Sequence, residues 1–324
     1  MKMIKKLSFT FVISATLIFS SLSSHAGSTI SKVKSFTGMY KKYIQKIKHP
    51  TGALLVMDND DTLTMMSCPD KKKPETCQYL GGAAWFSWQE SQVEIKAQPR
   101  VADSFSELLV AADLLFSINE MTYTAADVPG VLNKTASSGI RFLVETARGN
   151  SNLSATERQF SNINTDSKKY SDLLSFISKH SLNFGASKLA SKASPYLPCN
   201  TEKGKKDTNW TPVTYQQGIM YLSGQNKGKI LKCILDEYNA QENVIPVSDI
   251  IFIDDTKINV EKVHEAFKDS TKYNMQALHY TALSDHKKAF IKGRMANIYQ
   301  DNAMKRWSKI KHALENSLQN PTLP

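Results

Sequence analysis

The chain has 324 residues, of which 41% are hydrophobic and 22% are charged. This composition is ordinary for a globular protein, and the length allows one large domain or two modest ones. The formal net charge of +11 comes from lysines scattered along the sequence, which argues against a nucleic-acid partner and leaves anionic substrates or surfaces plausible.

The first 26 residues have the pattern of a secretory signal peptide. Lys2, Lys5 and Lys6 precede an apolar run over residues 7–22, and a Ser-His-Ala sequence ends at Ala26. A basic start, an apolar stretch and a small-residue site predict cleavage after Ala26. An uncleaved anchor is the alternative, but the run is short for a span of about 20 residues. We expect an exported protein, periplasmic or secreted, with no membrane span after cleavage.

Four cysteines follow, at Cys68, Cys77, Cys199 and Cys233. An even number in an exported protein permits two disulfides. Cys68 and Cys77 flank a polar loop and are placed to close it, which would leave the other two as a pair. The other two connectivities and four free thiols remain alternatives, and the spacing is not that of a zinc site.

Short apolar runs alternate with segments of helical periodicity along the rest of the chain. The runs predict buried strands over residues 53–58, 139–149, 216–224, 249–255 and 274–281. The periodic segments predict helices over residues 31–49, 101–118, 153–164, 170–181, 226–238, 259–267 and 289–318. We leave residues 183–197 as a loop because they show no clean period.

Strands that are apolar on both faces and alternate with helices indicate a parallel sheet covered by helices. We therefore predict an α/β protein with a Rossmann-like parallel sheet and a mainly helical cap insertion. The predicted organisation is a signal peptide over residues 1–26, a core formed by residues 27–65 and 137–324, and a cap insert over residues 66–136.

Polar residues collect where the predicted strands end. Asp58 and Asp60 follow the first strand, and Thr146 and Asp254 end two others. The carboxyl ends of parallel strands meet at one edge of a sheet, where ligands bind. Clustered carboxylates repel one another unless a cation lies among them, and oxygen ligands suit Mg²⁺. With the ammonium of Lys227, this edge would also hold a phosphate group.

Four motifs in this order resemble those of the haloacid-dehalogenase-like (HAD) hydrolase superfamily, in its secreted bacterial acid-phosphatase-like branch. They are VMDNDDTLT (residues 56–64), FLVETARG (142–149), NKGKIL (226–231) and IIFIDDTKIN (250–259). The resemblance implies the fold of the superfamily, with a sheet that carries the site and a cap that chooses the substrate.

The resemblance also implies a role for each acidic residue. Asp58 matches the nucleophile and Asp60 the general acid/base, whose backbone carbonyl binds the metal in the family. Asp254 matches a further metal ligand, with Asp255 as its partner. The implied ligands of Mg²⁺ are therefore Asp58, Asp60 and Asp254. The chain departs from the family pattern at Asp61, where glycine is frequent.

Two further motif residues would act on the phosphate. Thr146 matches the hydroxyl of the second motif, and Lys227 matches the phosphate-binding lysine, with Lys229 as a close alternative. Glu145 stands where the family usually has an apolar residue, which would place a charge near the pocket. Asn259 would orient the acids or cap a helix.

The resemblance implies a Mg²⁺-dependent phosphatase that hydrolyses phosphomonoesters through an aspartyl-phosphate. The substrate would be a small phosphorylated molecule or a phosphoprotein. Arg148, Trp85 and Trp88 are candidate substrate contacts; for the tryptophans the alternative is core packing, and for the arginine it is a surface ion pair. A different class of function is a secreted effector or binding protein on a HAD scaffold, with weak or no catalysis.

Overall fold

Apolar runs form the strands of a central sheet, and amphipathic segments form the helices that cover it. The computed structural model describes residues 26–165, 169–183, 199 and 213–319. The strands are β1 (Gly27–Val33), β2 (Ala53–Met57), β3 (Thr64–Met66), β4 (Met121–Tyr123), β5 (Arg141–Thr146), β6 (Thr214–Gln216), β7 (Ile219–Tyr221), β8 (Asp249–Asp254) and β9 (Asn274–Tyr280). The helices are α1 (Phe36–Lys42), α2 (Ala83–Glu94), α3 (Phe105–Ile118), α4 (Val128–Ser137), α5 (Leu153–Ser161), α6 (Leu173–His180), α7 (Lys227–Asn239), α8 (Lys257–Phe267), α9 (Ser284–Lys292) and α10 (Ala296–Gln319).

Seven strands form one sheet in the order β1-β9-β8-β2-β5-β7-β6. Every neighbouring pair is parallel except β6 and β7, which form an antiparallel edge. Strands β3 and β4 pair separately as an antiparallel ribbon. The predicted Rossmann-like α/β class is confirmed. The structure places β2 at the centre of the sheet, between β8 and β5.

The sheet is buried on both faces, as a parallel sheet between two helical layers requires. Alternate residues of β2 enter different clusters: Leu55 and Met57 join one hydrophobic cluster, and Leu54 and Val56 join the other. All four of these side chains are fully buried. The rigid centre of the fold therefore leads directly into the residues that follow β2.

The segment between β3 and β5 contributes α2, α3 and α4 together with the short strand β4. A third hydrophobic cluster joins this segment to the C-terminal helices, and it includes Trp85, Leu115, Phe290 and Ala303. Helices α9 and α10 therefore pack on the predicted cap insert as well as following the core in sequence. Among the described residues, we find no helix that is both long and apolar enough to span a bilayer.

Three predicted elements differ from the structure. The single helix predicted over residues 289–318 is two helices, because α9 ends at Lys292 and α10 begins at Ala296. The helix predicted over residues 31–49 was wrong at both ends: β1 continues to Val33 and pairs in parallel with β9, and α1 ends at Lys42. The strand predicted over residues 216–224 is a hairpin instead: Gln217 and Gly218 have φ values of 51° and 83°, and such positive values make the turn between β6 and β7.

The structure contains the disulfides Cys68–Cys77 and Cys199–Cys233. This is the pairing expected if Cys68 and Cys77 close the polar loop between them. The predicted signal peptide stays a prediction, because residues 1–25 lie outside the described part of the chain. Nearly all of the predicted loop over residues 183–197 also lies outside it.

Candidate active site

Three adjacent strands bring the predicted site residues to one edge of the sheet. Asp58 follows β2 directly, and its backbone N–H donates to the carbonyl of Ile253 at 2.9 Å. Thr146 is the last residue of β5, and Asp254 is the last residue of β8. Because these strands are parallel and aligned, side chains from distant parts of the sequence meet at their carboxyl ends.

Lys227 is the cation at the centre of this site. Its ammonium donates to Asp58 Oδ1 at 2.5 Å and to Asp254 Oδ2 at 2.7 Å. Lys227 is buried, whereas the nearby Lys229 is exposed and its backbone N–H donates to the side chain of Asn226. The structure therefore places Lys227, and not Lys229, among the aspartates.

The start of α7 packs very closely against α8. A Cβ atom added to Gly228 would lie 2.3 Å from the carbonyl oxygen of Lys262. A separation this short is impossible for a real side chain, so glycine allows the two helices to approach closely. This contact fixes the backbone that carries Lys227.

Arg148 holds the side chain of Asp60 through two hydrogen bonds. Its Nε donates to Asp60 Oδ2 at 2.9 Å, and its Nη2 donates to Asp60 Oδ1 at 2.6 Å. The guanidinium also donates to Thr156 and Gln159, and it lies 4.0 Å from the centroid of the Phe116 ring. The paired geometry orients the carboxylate of Asp60 strongly. Sequence reasoning considered a phosphate contact or a surface ion pair for Arg148; the structure shows an ion pair with Asp60 in which Arg148 is buried, and the phosphate contact stays a prediction.

Residues at the start of α8, the helix that follows β8, orient the carboxylate of Asp254. The backbone N–H of Thr256 donates to Asp254 Oδ1 at 2.7 Å, and the amide of Asn259 lies 3.3 and 3.1 Å from the two carboxylate oxygens. Of the two roles considered for Asn259, the structure supports the orienting contact. Thr146 lies at the neighbouring strand end with its hydroxyl fully buried, and it accepts from the backbone N–H of Arg148 at 3.3 Å.

A second lysine approaches the acids from the C-terminal part of the chain. Lys287 on α9 contacts Asp255 Oδ2 directly and lies 3.8 Å from Asp61 Oδ2. Asp61 has a φ of 60°, a left-handed conformation in which glycine is usual and aspartate is tolerated. No sequence pattern pointed to Lys287, because it lies on a helix far from the motifs.

Burial raises the pKa of several acids at this edge. For Asp58, burial raises the pKa well above its usual value, although Lys227 opposes this effect. Burial also raises the pKa of Asp61 to about 7, against the attraction of Lys287. For Lys227, burial lowers the pKa, but Asp254, Asp58 and Glu145 outweigh it and raise the pKa above its ordinary value.

Glu145 lies on β5 beside Thr146 and is completely buried. Neither of its carboxyl oxygens has a hydrogen-bond partner within the described part of the chain. Burial raises the pKa of Glu145 well above its usual value, while the charge of Lys227 lowers it. Glu145 is therefore a buried carboxyl without a hydrogen-bond partner among the described residues, beside the lysine of the site, a costly arrangement that burial alone does not stabilise.

The set of side chains fits a divalent cation. Ligand atoms of Asp58, Asp254 and Asp255 all lie within 4.8 Å of one another. Six acidic side chains lie at this edge, and three cationic side chains contact or face them. The acids are Asp58, Asp60, Asp61, Glu145, Asp254 and Asp255. The cations are Arg148, Lys227 and Lys287. All the acidic donors are oxygens, which is the donor type that Mg²⁺ takes.

The two tryptophans considered as substrate contacts lie in the cluster between the cap insert and the C-terminal helices. Trp85 is fully buried and Trp88 is 7% exposed. The ring centroid of Trp88 lies 5.6 Å from that of Phe290, in an edge-to-face arrangement. Their described contacts are with this cluster and not with the aspartates, and a substrate role for them stays a prediction.

The fold and this edge define an α/β protein with an acidic site at the carboxyl end of a mostly parallel sheet. Residues 32–319 match the family described as "Protein of unknown function (DUF2608)". The chain belongs to this family, since the match covers most of its length. No curated protein and no solved structure matches the chain.

Proposed function

We propose that the protein is a Mg²⁺-dependent phosphomonoester hydrolase of the HAD type that acts through an aspartyl-phosphate. The contact of Lys227 with both Asp58 and Asp254 carries this proposal. It joins a nucleophilic carboxylate, a phosphate-binding cation and a metal-binding carboxylate in one buried site. The adjacent hydroxyl of Thr146 supplies a donor for a phosphate oxygen.

Asp58 and Asp254, with the backbone carbonyl of Asp60, would hold Mg²⁺. When bound, Mg²⁺ offsets the carboxylate charges and polarises the phosphoryl oxygens. Lys227 lies between the two carboxylates and would bind a phosphate oxygen as negative charge develops on it. This arrangement would place the phosphorus next to Asp58 for in-line displacement.

In the first step, a carboxylate oxygen of Asp58 attacks phosphorus, and the bond from phosphorus to the ester oxygen breaks. Asp60 donates a proton to that leaving oxygen. In the second step, Asp60 takes a proton from a water molecule, and the oxygen of that water attacks phosphorus. The bond from phosphorus to Asp58 then breaks, which releases inorganic phosphate and restores Asp58. The paired hydrogen bonds from Arg148 hold Asp60 in position for both transfers.

An exported location suits this proposal. The two disulfides are typical of proteins that leave the reducing cytosol. The positive net charge would favour approach of anionic phosphate esters. The substrate class remains a small phosphorylated molecule or a phosphoprotein.

The chain from Gly27 onward is expected to hydrolyse p-nitrophenyl phosphate when Mg²⁺ is present. Treatment with EDTA should stop p-nitrophenolate release, because the site would lose the charge that balances its carboxylates. Added Mg²⁺ should then restore the rate. Binding of Mg²⁺ without hydrolysis of this or any phosphate ester in a broad panel would contradict the proposal and favour a binding or effector role.

A further inference from the structure

Lys287 fixes the carboxylate of Asp255 at the edge of the acidic site. Its ammonium contacts Asp255 Oδ2, and its side chain is 23% exposed. The other oxygen, Asp255 Oδ1, accepts from Thr62 Oγ1 at 3.3 Å. The backbone N–H of Asp255 donates back to Thr62 Oγ1 at 2.9 Å. Both oxygens of Asp255 are therefore occupied although they lie beside Asp58 and Asp254.

The cap insert and α9 hold Lys287 in this position. The ring of His286, the neighbouring residue, stacks on Tyr79 with centroids 4.5 Å apart. One turn further along α9, Phe290 stacks on the same tyrosine at 4.6 Å. Because both contacts are buried, they fix the part of α9 that carries Lys287, with its ammonium at Asp255.

We infer that Lys287 withholds Asp255 from the cation site and thereby makes the site prefer Mg²⁺ over Ca²⁺. The inference rests on the proposed function, and in particular on a cation held by Asp58 and Asp254. Mg²⁺ binds with few carboxylates and keeps several waters, whereas Ca²⁺ accepts 6–8 oxygens and flexible carboxylates. A free Asp255 would add the further carboxylate that favours Ca²⁺.

The double variant Lys287→Met with Asp61→Asn tests this inference. At pH 8, above the pKa of about 7 of Asp61, it releases Asp255 while removing one positive and one mainly ionised negative group, so the net charge of the site changes little. Calorimetric titration of this variant should show Ca²⁺ binding strengthened about ten-fold relative to Mg²⁺ binding. Adding Asp255→Asn should return the ratio of the two dissociation constants to that of the parent chain.

A matched control is Lys257→Met with Glu261→Gln, which removes an exposed ion pair of 2.8 Å on α8 and should leave the ratio unchanged. Asp255→Asn alone gives a second test that keeps Lys287. The ratio should again be unchanged, because a withheld carboxylate is not a ligand. If the double variant does not fold, this variant can still overturn the inference, because a change in the ratio would show that Asp255 is a ligand in the parent chain.

An unchanged ratio in the folded double variant would overturn the inference. So would a large loss of Mg²⁺ affinity in Asp255→Asn. In both cases the parent chain would still bind Mg²⁺ and hydrolyse phosphate esters, so the proposed function would stand. A parent chain that binds neither cation would instead defeat the proposed function and this inference with it.

Discussion

Replacing Asp58 by Asn is expected to abolish phosphate-ester hydrolysis, with a fall in kcat of about 10⁴-fold or more. Asn has nearly the same shape as Asp, but its amide cannot attack phosphorus or release a phosphate through an acyl-phosphate. The effect should appear in kcat at saturating Mg²⁺ and substrate, measured by steady-state kinetics.

The same variant should fold normally. Lys227 keeps its contact with Asp254 at 2.7 Å, and the substitution removes a carboxylate whose pKa burial already raises. The matched control is Asp236→Asn, which also loses an aspartate paired with a lysine, Lys232, on the surface of α7. We expect full activity from this control. Substantial hydrolysis by purified Asp58→Asn would remove Asp58 from the role of nucleophile.

Replacing Lys227 by Met is expected to reduce both stability and turnover. The substitution leaves Asp58 and Asp254 buried without their shared cation, and Glu145 loses the nearby positive charge. Breaking a buried ion pair from one side costs about 3–5 kcal/mol in the free energy of unfolding. Turnover should fall about 10²–10³-fold, because the phosphate would lose a preorganised donor.

The stability loss of Lys227→Met should depend on pH. Burial raises the pKa of Asp58 and of Glu145 in the folded protein, so the folded state binds more protons than the unfolded state above their ordinary pKa values. Without Lys227 the difference in bound protons grows, so the variant should lose more stability at pH 8 than at pH 5. Urea unfolding of both proteins at the two pH values, in the presence of EDTA, measures the free energies of unfolding.

The control for this second prediction lies on the same helix. Lys232 pairs with Asp236 at 2.5 Å, and both side chains are more than a third exposed. Lys232→Met should therefore cost about 0–1 kcal/mol and leave turnover intact. If Lys227→Met were no more destabilising than Lys232→Met, the buried ammonium of Lys227 would not stabilise the carboxylates of Asp58 and Asp254 as we propose.

The sequence was sufficient to predict the centre of this fold. Strands β2, β5 and β8 each contain a buried apolar run, and a polar residue ends the strand or follows it directly, so the sequence pattern located these strands to within a few residues. Parallel pairing then brings Asp58, Thr146 and Asp254 to one edge, as predicted.

The edges of the sheet were harder to predict because their signals are weaker. Strand β1 is partly exposed and mixes polar with apolar residues, so the helical spacing that begins near Val33 misled the prediction. The turn between β6 and β7 depends on the backbone conformation of Gln217 and Gly218, and the apolar run over residues 219–222 that follows led the prediction to merge them into one strand.

The partners of the acids were also beyond sequence reasoning. Arg148 was recognised as a candidate, but its contact with Asp60 depends on how β5 and the loop after β2 come together. Lys287 is one of several lysines in the C-terminal helices, and only the packing of α9 on the cap insert directs it to Asp255. Contacts of this kind arise from tertiary structure and leave no local pattern.

Chemical trapping at Asp58 tests the central claim most directly. A reaction with a phosphate ester in Mg²⁺ is quenched during turnover, and borohydride then reduces any aspartyl-phosphate to homoserine, which mass spectrometry locates in the digested chain. We predict homoserine at Asp58, and none when Asp58 is replaced by Asn. Homoserine at a different carboxylate, or none at all while hydrolysis continues, would contradict the account.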